Sequence, residues 1–177
     1  MRALGRGSVS SFLKVILDVF LVVLWIGVGA VTLGMLAALL LSFRPDLISG
    51  HMHVEYLDVQ GAWLGPAAAA LCLIVDIYLA GGIIIVSRLR AIFATLISGD
   101  PFHPENARRL RIIGAALAAL EIGRYAVASL GRLVFHGVIH ISGGVSLTTW
   151  FAILVIFVLA EVFREGARLR GEAELTI

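Results

Sequence analysis

Arg88-Leu-Arg-Ala-Ile-Phe-Ala-Thr-Leu-Ile-Ser-Gly-Asp-Pro-Phe-His-Pro-Glu-Asn-Ala-Arg-Arg-Leu-Arg111 is the stretch on which the fold turns. It is the most basic loop of a very apolar chain and lies between two long hydrophobic runs. Arg88, Arg90, Arg108, Arg109 and Arg111 crowd its ends, and Gly99, Pro101 and Pro104 force a turn in the middle. That pattern predicts a helical hairpin outside the bilayer, with arginines at both membrane exits.

Composition agrees with a membrane setting. Of the 177 residues, 60% are apolar, against about 45–50% for a soluble domain. The single cysteine, Cys72, lies within a hydrophobic run and excludes an intrachain disulfide. No basic, aromatic-interleaved surface of domain size is present, so direct nucleic-acid binding is not expected.

A bilayer core of ~30 Å needs about 20 helical residues, and four stretches meet that need or come close. The first, 15–41, is broken only by Asp18 and Thr32 and is too long for the apolar part of a cleaved signal peptide, about 7–15 residues. The second covers 62–86, opened by Trp63, with Pro66 in its first turn. Its apolar spacing continues through Ile92, Phe93, Leu96 and Ile97 to a stop at Gly99. Pro104 starts a new helix with Glu105 in its first turn, leading into the third span, 112–135. The fourth is 147–163. Residues 1–14 and 164–177 read as tails, and 51–59 and 136–146 as β-leaning outer loops. Ala30, Gly34, Ala37 and Ala38, and separately Ala115, Ala119 and Gly123, give small-residue faces suited to close helix packing.

Orientation follows from charge. Arg2, Arg6, Lys14, the five hairpin arginines, Arg164, Arg168 and Arg170 fall on one side, and Arg44 and Arg132 on the other. The positive-inside rule puts the hairpin and both termini in the cytoplasm. The expected fold is thus an all-α integral membrane protein: one four-transmembrane-helix bundle, N-in and C-in, with a cytoplasmic helical hairpin at 88–111.

Three groups of residues invite a chemical reading. Asp76, Glu121 and Arg124 lie mid-span, where an isolated charge costs about 2.5–3.5 kcal/mol. They should face the bundle, with Arg124 paired to one or both acids. A polar clamp that fixes helix register is weighed here against a proton or ion relay. His51, His53, His136 and His140 fall on the outer side and could hold zinc or copper, or report pH; the plainer reading is solvated loop residues. Ile92, Phe93 and Phe102, with the ending Leu175-Thr-Ile177, form an apolar surface on the inner side that needs covering. Docking on the protein itself competes there with a platform for a partner. No cofactor motif, nucleophile elbow or phosphate loop is present, and an enzyme is not expected.

The hairpin's Gly-x-Pro-Phe…Glu-Asn turn, the tail Leu159-Ala-Glu-Val-Phe-Arg-Glu-Gly-Ala-Arg-Leu169 and the ending Glu174-Leu-Thr-Ile177 resemble a bacterial family. It is the membrane family catalogued as domain of unknown function twenty-nine seventy-five. The resemblance implies a four-span protein of the bacterial inner membrane without assigned catalytic residues, and a small helix-turn-helix regulator as neighbour and partner. The outer histidines form no part of it. The sequence therefore predicts a non-enzymatic regulator or anchor in the lipid bilayer, with a homodimer among the arrangements open to it. A small proton- or ion-coupled transporter is the alternative, and an outer-face metal or pH sensor the third.

Overall fold

The computed structural model describes residues 9–42, 64–134 and 145–174. They form four helices: α1 (Val9–Ser42), α2 (Leu64–Ile97), α3 (Pro104–Val134) and α4 (Leu147–Glu174). No strand occurs among the described residues. Each helix is long and apolar enough to cross a membrane. α1 starts at Val9, so the second half of the 1–14 segment is helical rather than a mobile tail. α4 likewise continues to Glu174, well past the end of the apolar run at Phe163.

The ends of the helices have local causes. α2 stops at Gly99, whose φ of 84° is the left-handed conformation that glycine adopts without a side-chain penalty. Asp100 N–H donates to the Thr95 carbonyl (3.0 Å) and Gly99 N–H to that of Leu96 (3.2 Å), the paired bonds of a Schellman stop. α3 starts at Pro104, where the missing N–H costs nothing. His103 caps it, its Nδ1 accepting from Glu105 N–H at 3.3 Å. Ser146 caps α4, its Oγ accepting from Thr149 N–H at 3.3 Å.

The outer surface is apolar. On α1, Phe12, Trp25, Leu33 and Leu40 are each about two-thirds exposed or close to it, and the most apolar 18-residue window of that helix has no buried residue. Water would penalise such a surface at roughly 25 cal/mol per Å², whereas lipid tails do not. Hydroxyls along α2 return to the backbone: Ser87 Oγ donates to the Ile84 carbonyl at 2.8 Å and Thr95 Oγ1 to that of Ile92 at 2.7 Å.

Contacts divide the chain into two units. One comprises Met1–Leu24, Gly81–Glu121 and Ser146–Ile177; the other comprises Trp25–Ala80 and Ile122–Val145. In the first, Val86, Ile92, Ala107, Ile113, Ile153 and Ala160 are buried. A Cβ on Gly114 would stand 3.1 Å from the Phe157 ring, so α3 and α4 approach closely there. The small-residue faces expected to mediate packing do not do so. Ala30, Gly34, Ala37, Ala115 and Ala119 are exposed, and a Cβ on Gly34 or Gly123 would meet nothing within 4 Å. Close approach falls to other glycines because bulky neighbours such as Phe157 and Leu120 need the room.

Candidate functional site

The hairpin between α2 and α3 is built around one amide. Asn106 is 0% exposed, the largest fully buried side chain among the described residues. Its Nδ2 donates to Thr95 Oγ1 (2.8 Å) and to the Pro101 carbonyl (3.1 Å). Its Oδ1 accepts from Arg109 Nη1 at 2.9 Å, and the same nitrogen reaches the Ala91 carbonyl at 3.1 Å. Arg109 Nη2 pairs with Glu105 Oε2 at 3.1 Å. One side chain thereby joins the last turn of α2, the turn itself and the first turn of α3. Only an amide offers two donors and an acceptor at one position, so Asp or Leu cannot replace it without stranding groups.

The closed hairpin sits on α4. The Phe102 ring lies 5.8 Å from that of Phe163 between centroids, and over Gly166, where a Cβ would come within 2.7 Å of it. Asp100 pairs with Arg170, and Arg111 Nη2 with Glu161 Oε2 at 3.2 Å. Beyond the apolar run, α4 carries its own charge ladder, Glu161–Arg164 and Glu165–Arg168–Glu172. Of the apolar residues expected to need covering, Ile92 is buried, Phe93 half-buried, and Phe102 41% exposed despite its seat on α4. Leu175, Thr176 and Ile177 lie outside the described residues.

Asp76 Oδ2 accepts from Thr32 Oγ1 at 3.0 Å, and Asp76 Oδ1 is buried with no hydrogen-bond partner among the described residues. No ion pair to Asp76 occurs among the described residues, where its partner is the Thr32 hydroxyl. The guanidinium of Arg124 lies 4.9 Å from the centre of the Tyr125 ring. Glu121 is buried at 7% exposure. Asp18 Oδ1 stands 2.6 Å from Arg90 Nε, an ion pair by distance although its angles fall outside the hydrogen-bond range. Thus Asp18 and Thr32, the two polar interruptions of the α1 run, each meet a polar residue of α2. The spacing was the missed signal: Asp18 and Thr32 are fourteen apart, and so are Asp76 and Arg90.

His51, His53, His136 and His140 all lie outside the described residues, within which no group of three His, Cys, Asp or Glu could hold a metal. The fifth histidine, His103, is the cap of α3.

Four apolar spans with an apolar exterior make this, by class, a multi-pass helical membrane protein. The family described as "Protein of unknown function (DUF2975)" matches over residues 49–177, and the chain belongs to it. The matched region takes in the hairpin, its Asn106 centre and all of α4. No curated protein matches the chain, and no solved structure does.

Proposed function

We propose that this is a non-enzymatic inner-membrane protein, N-in and C-in, whose hairpin and α4 extension together present a rigid cytoplasmic platform to a small helix-turn-helix regulator. The observation that carries this reading is the investment in rigidity at the hairpin. A fully satisfied buried amide, a seated Phe102 and two ion pairs to α4 hold hairpin and α4 in one arrangement. Such pre-organisation favours recognition, because less ordering entropy is lost on binding. α4 stays helical to Glu174, and the sequence Leu175-Thr-Ile177 that follows would suit a partner's groove or sheet edge.

Two experiments test it. A reporter active only outside the cytoplasm should work when fused after residue 50 or 140 and fail after 100 or 177; activity at 100 overturns the orientation. Deletion of 171–177, or Phe102→Asp, should abolish co-purification of the neighbouring regulator while insertion is retained. Undiminished co-purification overturns the platform.

A second reading, a small ion- or proton-coupled transporter, draws on Asp76. Its buried, unpartnered Oδ1 is an oxygen that a cation or proton would satisfy. Flux in liposomes that survives Asp76→Asn removes that reading.

A further inference from the structure

The hairpin arginines have unequal fates. Arg90 pairs with Asp18, Arg109 is consumed by Asn106, Glu105 and the Ala91 carbonyl, and Arg111 binds Glu161. Arg108 is exposed and has no partner among the described residues. It stands one turn before Arg111, so the two side chains leave the same face of α3. Glu161 holds Arg111 with one oxygen and Arg164 with the other. The nearby acids are already engaged, Glu105 by Arg109 and Glu165 by Arg168. Arg111 and Arg164 therefore share one half-exposed carboxylate, Arg108 stands one turn from Arg111 with no acid of its own among the described residues, and the group has an unmet positive charge.

Its place in the fold identifies what would meet that charge. Before Glu161, α4 exposes Leu154, Val155 and Val158; after Arg111, α3 exposes Ala115 and Ala119. Both helices turn apolar on the same side of the cluster, because they run antiparallel. A molecule with a phosphate at the arginines and hydrocarbon along these faces satisfies both. Arginine suits it, since its planar fork matches phosphate oxygens in pairs. We propose that Arg108, Arg111 and Arg164, arranged by Glu161, bind the headgroup phosphate of an anionic phospholipid whose chains lie along α3 and α4. This goes beyond the platform reading and rests only on residence in a bilayer.

The test uses the full chain in neutral detergent, with native mass spectrometry to count bound lipid during titration. Phosphatidylglycerol should bind in preference to phosphatidylcholine. Arg108→Gln breaks no contact within the protein, so the variant should fold, and its affinity for phosphatidylglycerol should fall about fivefold, the equivalent of ~1 kcal/mol for one surface arginine. Arg88→Gln, which removes an exposed α2 arginine outside the cluster, should bind as the parent does. Equal affinity in Arg108→Gln overturns the site. So does equal binding of phosphatidylcholine, or a loss in Arg88→Gln as large as in Arg108→Gln, which would mean diffuse attraction. Inorganic phosphate displacing the lipid at comparable concentration would mean a free-anion site, and overturns the lipid assignment.

Discussion

Asn106 and Asp76 are both polar residues held inside helical surroundings, and they are treated in opposite ways. Every hydrogen-bonding atom of the Asn106 side chain is used, and it touches two helices and the turn between them. Asp76 has one hydroxyl partner, and its other oxygen is buried with none. A satisfied network fixes a unique geometry, whereas a half-satisfied one leaves a group whose energy falls when something arrives to meet it. The hairpin amide is fully met within the protein, whereas one oxygen of Asp76 is not met by the described residues.

Four substitutions would break or sharpen that contrast. Asn106→Leu should be the most damaging, lowering stability in detergent by about 3 kcal/mol, because Arg109, Thr95 Oγ1 and the Pro101 carbonyl all lose a partner. Thermal unfolding measures it, and hydrogen exchange should rise at 98–106; a loss under about 1 kcal/mol would mean the amide is incidental. Asp76→Asn should move the other way and stabilise by about 1–2 kcal/mol, since it retains an acceptor for Thr32 and an amide is less costly than a carboxyl group to hold within a span. Destabilisation would show that the carboxylate already has a partner of its own. Gly166→Ala should cost about 1 kcal/mol by lifting Phe102 from its seat, and Phe102→Leu in the same chain should recover part of that loss. Additive losses would separate the two positions. Thr32→Val should have the smallest effect, about 0.6 kcal/mol, the usual worth of one interhelical hydrogen bond in a membrane.

Much of this fold was legible because lipid simplifies the code. Long apolar runs mark spans, and Gly99 and Pro104 mark a stop and a start through their own backbone chemistry. Tertiary pairing was harder to read. Asp18 and Thr32 look like flaws in an apolar run until they are set beside Arg90 and Asp76. The importance of Asn106 was hidden for another reason: polar residues near a turn are ordinarily solvated, and no periodicity distinguishes one that is buried. Seating Phe102 on Gly166 depends on α4 remaining helical past Phe163, which the charge ladder of Glu161 to Glu172 supports by i,i+3 and i,i+4 pairing. That ladder stands in the sequence as a mixture of signs, which reads equally well as a loose tail.

The uninterrupted length of α2 has a mechanical consequence. Its 34 residues extend ~51 Å at 1.5 Å each, roughly 20 Å more than the hydrocarbon core requires. The helix is continuous from Leu64 to Ile97. A change in tilt of about 10°, well within the range membrane helices occupy, would swing the hairpin tip by ~6 Å. α2 thus has the length of a lever arm, at whose far end a change in lipid thickness or helix packing would be felt most.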